Sequence, residues 1–269
     1  MQTTALPASH TGSPPSPAWL LVMAAALLAA LAVHGPIAQW ASYHAFADAR
    51  SWLGLPNAEN VLSNLPFALV GGYGLWACTR TPSARGTQRA WLCFGVALIG
   101  TAFGSALYHW APDNASLVGD RLPIAWACAA LLCAFLAERV DTRWAGVPAL
   151  AAALAVASAS VAWWWVGDRH GHGDLRPYLF VQFLPMLLVP AALWLKFAPR
   201  HAHALPDAAW WSVLGLYGAA KAMELADHAV FDALGFTSGH TLKHLLAAAA
   251  ALCLLRAVGK ASVSSGSRR

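Results

Sequence analysis

The sequence has little charge for its length. Only 11% of its 269 residues are Asp, Glu, Lys or Arg, whereas 58% are hydrophobic. So few charged side chains do not cover the surface of a water-soluble globule, and long apolar stretches are typical of a protein that crosses a membrane several times. No polar insertion is long enough to fold by itself. The composition therefore indicates one membrane-embedded domain and excludes an ordinary soluble enzyme.

Cysteine is also scarce, and its spacing is uninformative. None of the five cysteines forms a C-x-x-C pair, and all lie within apolar stretches: Cys78, Cys93, Cys128, Cys133 and Cys253. This pattern argues against a cysteine zinc site or a redox dithiol, and we expect the five side chains to pack as small hydrophobic groups.

The N-terminal segment lacks Lys and Arg. Residues 1–17 are rich in Pro, Ser and Thr, and we predict a disordered tail. The apolar stretch 18–33 is either a signal-peptide core or a retained helix. No basic segment precedes it and no convincing cleavage site follows, so we predict a transmembrane segment over 18–40.

Seven further apolar stretches approach the length of about 20 residues that spans the hydrocarbon layer. They cover residues 60–78, 90–109, 122–138, 146–166, 177–197, 208–225 and 240–257. We predict an all-α polytopic membrane protein of eight helices, with the main membrane domain over 41–258 and a cytoplasmic tail over 259–269.

Basic residues are unevenly divided between the two predicted sides. Odd-numbered helices end, and even-numbered helices begin, on the same side of the membrane. The loops on that side hold four arginines, whereas the loops and tail on the opposite side hold eleven basic residues. By the positive-inside rule the basic side is cytoplasmic, so we expect both termini inside and the polar cluster on the extracytoplasmic side of a bacterial inner membrane. The eleven are Arg80, Arg85, Arg89, Arg139, Arg143, Lys196, Arg200, Arg256, Lys260, Arg268 and Arg269, and the four are Arg50, Arg121, Arg169 and Arg176.

A short polar stretch, GSALYHWAPDNASLVGDRLP, covers residues 104–123 between apolar segments. It places Ser105 and His109 one helical turn apart and Asp120 after a Pro-Asp-Asn loop, while His240 and His244 share one face of the last helix. Ionisable groups are costly in a membrane, so we treat these five as a candidate site. The alternatives are hydrogen-bonded core histidines, a serine bonded to its own helix, and an aspartate that pairs with Arg121 or with a helix N-terminus.

Three histidines are a standard ligand set for catalytic zinc, with one position left for water. His109, His240 and His244 are therefore the predicted metal ligands. A bound ion would lower the pKa of its water and create a nucleophile. Asp120 could then act as general base, and Ser105 could hydrogen-bond the water or an oxyanion.

These motifs resemble those of the alkaline ceramidase family. The likeness consists of S-x-x-x-H, an Asp eleven residues later, the C-terminal H-x-x-x-H and the segment NAENVLSNLPF, residues 57–67, and it extends over residues 44–257. It implies a bacterial-type, seven-helix zinc amidase, preceded here by one extra helix. It also implies a membrane lipid substrate, ceramide, whose N-acyl bond is hydrolysed to a sphingoid base and a fatty acid.

The chain departs from that family in one loop. Eukaryotic members bind calcium through acidic residues before their first core helix, but Asn57 stands here where they carry glutamate. Asp48 and Glu59 are close in sequence but out of register. Calcium prefers several carboxylate oxygens, so we expect loop hydrogen bonds in place of Ca²⁺.

Three other functions remain open. A lipid-ester hydrolase would use the same chemistry, a lipid-responsive receptor would hold zinc structurally, and a proton-coupled transporter would use buried His and Asp without zinc. Near the predicted site, Lys221 and Glu224 either pair with each other or contact headgroups. We expect Lys243 to point away from the histidines, outward or toward Asp227.

Overall fold

The computed structural model describes residues 15–80, 86–201 and 203–266, with side chains as far as residue 260. Apart from one isolated bridge between Trp52 and Leu55, these residues form helices, turns and loops. Most of the predicted disordered tail, residues 1–14, lies outside the described residues. The helices are α1 Ala18–His34, α2 Ala58–Leu62, α3 Leu65–Thr79, α4 Gln88–Trp110, α5 Asn114–Arg139, α6 Val147–Arg169, α7 Arg176–Trp194, α8 Asp207–Leu225, α9 Asp227–Leu234 and α10 Gly239–Gly266.

The all-α polytopic prediction is confirmed, with a small difference in helix count. Six spans are long and apolar enough to cross a membrane: α2 and α3 taken together, α4, α5, α6, α7 and α10. The other two predicted spans also form helices, but α1 has only 17 residues, and α8 carries Asp207, Lys221 and Glu224. Helix α9, which follows α8 after a one-residue break, was not predicted.

Helices α4 and α5 form the centre of the bundle. Helix α4 packs against α3 and α5, α5 also contacts α6 and α7, and α10 lies against α8 and α3. The extra helix α1 packs against α7. Because α4 and α10 both border α3, the histidines of the first and last predicted site segments can approach each other.

The start of α5 corrects the sequence prediction. The Asp113 side chain accepts a hydrogen bond from the Ser116 amide at 2.6 Å, and the Ser116 hydroxyl accepts one from the Asp113 amide at 3.1 Å. This reciprocal cap begins the helix at Asn114, eight residues before the predicted start. Asp120 is consequently a residue of the second helical turn, and Pro123, which a helix start at residue 122 would place in the first turn, lies inside the helix.

Two other boundaries differ from the predicted ones. The second predicted span is interrupted at residues 63 and 64, where α2 ends and α3 begins, and Pro66 lies in the first turn of α3, where its missing N–H is harmless. The last helix continues to Gly266, beyond the predicted end of the membrane domain at residue 258.

Candidate metal centre

Three buried histidines from two helices converge in the bundle. Each of His109, His240 and His244 offers a ring nitrogen, and these nitrogens all lie within 4.8 Å of one another. The Nε2 atoms of His109 and His240 are 3.2 Å apart, and none of the three residues is more than 6% exposed. The sequence prediction that these histidines meet is therefore confirmed.

This cluster fits a divalent ion. Tetrahedral Zn²⁺ with Zn–N distances of about 2.0–2.1 Å places two ligand nitrogens roughly 3.3 Å apart, close to the 3.2 Å between His109 and His240. Two ring nitrogens that face each other repel unless a proton or a cation lies between them. In addition, the buried Nδ1 of His109 has no hydrogen-bond partner among the described residues. The histidines can thus hold a metal ion, and its identity is a matter for proposal.

Neighbouring side chains fix the orientation of the imidazoles. The Ser63 hydroxyl lies 2.7 Å from Nδ1 of His244, which leaves Nε2 as the other ring nitrogen of that residue. The ring of Phe46 packs 4.6 Å from the ring of His109 and 4.7 Å from that of His240, measured between centroids. Such partners around a ligand set hold the rings in place and tune the affinity for the metal.

Asp227 joins the start of α10 to the N-terminal loop. Its carboxylate accepts hydrogen bonds from the main-chain amide of His240 at 2.7 Å and from that of Ala47 at 3.0 Å. Gly239 allows this approach, because a Cβ atom there would lie 2.2 Å from the carbonyl oxygen of Met223. The position of His240 therefore depends on the bond from its main-chain amide to Asp227 and on the close approach of Gly239 to α8, neither of which involves the imidazole ring.

Ser105 and Asp120 face each other across the α4–α5 contact. The Ser105 side chain lies close enough to the Asp120 carboxylate to interact with it, and the two residues are 2% and 7% exposed. At this level the helices touch, since a Cβ atom on Gly104 would lie 1.9 Å from the carbonyl oxygen of Gly119. Ser105 is one turn from His109 on α4, so the predicted polar pair belongs to the same region as the histidines.

Among the described residues Arg121 forms no ion pair with Asp120, which was one of the two structural alternatives for that aspartate. Its guanidinium carbon lies 4.1 Å from the centre of the Trp164 ring and 5.2 Å from that of Tyr178, and its Nη2 donates to Gln39. Trp164 itself is fully buried. Arg121 therefore lies in an aromatic cage beside Asp120.

The prediction for Lys243 was wrong. Its Nζ donates to Oε1 of Glu224 at 2.9 Å and lies 3.3 Å from Nε2 of His240, so the side chain reaches the histidine cluster. The predicted pair of Lys221 and Glu224 is confirmed, through the other carboxylate oxygen. Two lysines thus share one carboxylate next to the candidate metal ligands.

The loop before α2 is closed by an arginine. Arg50 donates to Oδ2 of Asp48 at 2.7 Å, to Glu59 at 3.3 Å and to the carbonyl oxygen of Phe236 at 2.7 Å. Hydrogen bonds from Arg50 hold the pKa of the buried Asp48 carboxyl below its usual value, despite the opposing effect of burial. Asn57 instead donates to the carbonyl oxygen of His109 at 2.8 Å. The predicted loop hydrogen bonds are present, and both acidic groups are paired with the same cation.

Comparison with known proteins gives no match among family models, curated proteins or solved structures. The resemblance to alkaline ceramidases therefore depends on the residues quoted above, and the activity it implies is treated below as a proposal.

Sequence reasoning missed Ser63 and the role of Asp227. The first lies in the segment NAENVLSNLPF, whose likeness to the ceramidase family could have marked it. Asp227 acts on main-chain amides of distant residues, and no spacing in the sequence indicates such contacts.

Proposed function

We propose that the protein is an intramembrane, zinc-dependent hydrolase that cleaves the N-acyl bond of ceramide or a related lipid amide. The observation that carries the proposal is the buried group of His109, His240 and His244, whose ligand nitrogens lie within 4.8 Å of one another. Three imidazoles in a membrane-spanning bundle are costly without a ligand or partners, and a three-histidine set is typical of catalytic zinc.

The surrounding residues supply the other parts of an amide hydrolysis. Zn²⁺, when bound, provides Lewis acidity that acidifies water and polarises a carbonyl group. Asp120 is the proposed general base, which takes a proton from the attacking water and returns it to the leaving amine. Ser105, beside Asp120 and one turn from His109, is proposed to donate a hydrogen bond to the developing oxyanion. Ser63 holds the ring of His244 for its ligand role.

The charge distribution of the sequence supports an orientation for this activity. We propose that the site opens toward the extracytoplasmic side of a bacterial inner membrane, with the more basic loops and both termini in the cytoplasm. A lipid would then reach the histidines from within the bilayer or from its outer surface.

Metal content is the first test. We expect about one zinc per chain in detergent-purified protein, as measured by elemental analysis. Loss of zinc in His244→Ala is expected, whereas His228→Ala, which alters a histidine outside the cluster, should keep it. Protein that purifies folded without stoichiometric metal would contradict the proposal and favour a proton-coupled transporter.

Turnover is the second test. Purified protein should release fatty acid from an N-acylated sphingoid lipid, and Asp120→Asn should slow the release by about 10²- to 10⁴-fold while zinc content stays unchanged. Asp232→Asn is the matched control, because Asp232 is exposed on α9. Cleavage of lipid esters alone would point to an ester hydrolase. Zinc without any cleavage of amides or esters would favour a lipid-responsive receptor.

A further inference from the structure

Lys243 is the charged side chain in closest contact with the histidine cluster among the described residues. Its Nζ lies 3.3 Å from Nε2 of His240 and 2.9 Å from Oε1 of Glu224. The side chain is 20% exposed, whereas the histidines are almost fully enclosed. Part of the Lys243 side chain is therefore open to its surroundings, beside histidines that are enclosed.

Metal binding would change the contacts of Lys243. His240 uses the same atom, Nε2, toward Lys243 and toward His109, so this atom faces the proposed ion. A neutral imidazole nitrogen has a single lone pair, and a nitrogen that holds an ion cannot also accept a hydrogen bond. The ammonium of Lys243 has three donors, and Glu224 is its other described acceptor. With the ion in place, Lys243 therefore has donors available beside the reacting centre.

The local charges favour an anion as the new acceptor. Glu224 does not neutralise Lys243 alone, because its second oxygen binds Lys221. The charged side chains around the histidines balance one another, and a divalent ion adds two positive charges to a poorly solvated region. These side chains are the cations Arg121, Lys221 and Lys243 and the anions Asp120, Glu224 and Asp227.

Arg121 is less suited to receive such an anion. The residue is 4% exposed, its guanidinium is stacked on Trp164, and its nitrogens Nε and Nη1, which have no hydrogen-bond partner among the described residues, have almost no accessible surface. A ligand would have to displace the aromatic cage to reach it. Lys243 lies outside this cage, and its side chain is partly exposed.

We propose that Lys243, held by Glu224, binds a carboxylate next to the scissile bond, so that the preferred substrate is an N-acyl amino acid and not an uncharged ceramide. This inference deepens the proposed function and rests on it for the reaction. Water adds across the amide C–N bond, its oxygen goes to the acyl carbon and a proton goes to the nitrogen, and the products are a fatty acid and an amino acid.

The test compares two lipids that differ in one group. N-palmitoylglycine and N-palmitoylethanolamine share the acyl chain and the amide, but the second carries an uncharged hydroxymethyl group where the first has a carboxylate. Dissociation constants are measured for full-length, zinc-loaded Asp120→Asn protein in an uncharged detergent, in which turnover is suppressed. We expect the acylglycine to bind about tenfold more tightly or better, because the hydrogen bond joins two charged groups.

Variants of Lys243 assign the preference to one residue. Lys243→Gln should bring the two dissociation constants within about twofold, and Lys243→Arg should keep the preference because it keeps a positive charge that can bond a carboxylate. Arg256→Gln is the matched control, since Arg256 is an exposed cation farther along the same helix. Equal affinities for the two lipids in protein that retains Lys243 would overturn the proposal. This comparison does not require any Lys243 variant to fold. An unchanged preference in a zinc-loaded Lys243→Gln protein would also overturn it.

Hydrolysis assays on the wild-type protein separate the two proposals. A clear preference for the acylglycine without cleavage of either lipid would support the role of Lys243 and contradict the amidase. Cleavage of both lipids with equal affinities would support the amidase and contradict the role of Lys243.

Discussion

Gly104 of α4 lies directly against Gly119 of α5, so closely that a Cβ atom on Gly104 would be 1.9 Å from the carbonyl oxygen of Gly119. The next residue of each helix is a proposed catalytic residue, Ser105 on α4 and Asp120 on α5. The close contact between the two helices therefore also brings Ser105 and Asp120 together.

Gly104→Ala should separate the two helices. A methyl group cannot enter this contact without backbone movement, and we expect a loss of about 1–3 kcal/mol of stability together with a loss of catalytic activity. Thermal unfolding in detergent and lipid-amide hydrolysis measure the two effects. Gly72→Ala is the control, because a Cβ atom at Gly72 meets nothing within 4 Å. Equal behaviour of the two variants would show that the close contact is unimportant.

Ser63→Ala should weaken metal binding without abolishing it. The hydroxyl is 2.7 Å from Nδ1 of His244, and loss of such a partner typically costs about 10- to 100-fold in metal affinity. Competition with a zinc chelator measures the change. Ser212→Ala provides the comparison, because the exposed Ser212 bonds only to the carbonyl of Ala208 in its own helix. An affinity unchanged by Ser63→Ala would mean that this hydroxyl does not orient a ligand.

Asp227→Ala should destabilise the start of α10. Two main-chain amides, the buried one of His240 and the part-buried one of Ala47, would lose their acceptor, and a buried donor left unpaired costs about 1–3 kcal/mol. Thermal unfolding and zinc content should both fall. Asp232→Ala removes an exposed carboxylate from the same short helix and should change stability by no more than about 0.5 kcal/mol. A similarly small effect of Asp227→Ala would refute the structural role.

Arg50→Gln should change how the stability of the folded protein depends on pH in the acid range. Because Arg50 lowers the pKa of Asp48 in the folded protein, the pair stabilises the fold above the unfolded pKa of about 3.9. This contribution is lost as the pH falls through the lower folded pKa. The difference in melting temperature between wild type and Arg50→Gln should therefore reach its maximum above about pH 5 and shrink below about pH 4.

An exposed pair provides the comparison for Arg50. Arg143 lowers the pKa of Asp141 to about 2, yet its side chain is 90% exposed, and solvent screens the interaction. Arg143→Gln should consequently have little effect at any pH. A pH-independent difference for Arg50→Gln would show that its contacts with the carbonyl oxygens of Gly235 and Phe236 account for its contribution.

The sequence predicted the helices and the histidine cluster because both follow from local patterns. Apolar length identified the eight main segments, and the alternation of helix direction placed His109, His240 and His244 at one level. Helix starts were less accurate, since the cap formed by Asp113 and Ser116 depends on two short side chains within a polar loop. The extra turns that it adds moved Asp120 from a loop into α5.

The partners of the cluster could not be predicted in the same way. Lys243 turns toward His240 because Glu224, on a different helix, is close enough to hold it. Asp227 reaches main-chain amides only because Gly239 lets α10 approach the end of α8. Such contacts depend on the distance between helices, which hydrophobic periodicity does not specify.

His109 and His240 are separated by 131 positions in the chain, and the second and third histidines both belong to the final helix. A polypeptide still emerging from the ribosome therefore contains a single imidazole of the three until nearly all of it has been synthesised. Any product truncated before residue 240 lacks two of the three donors. Tight zinc retention would accordingly distinguish complete, inserted molecules from prematurely terminated ones.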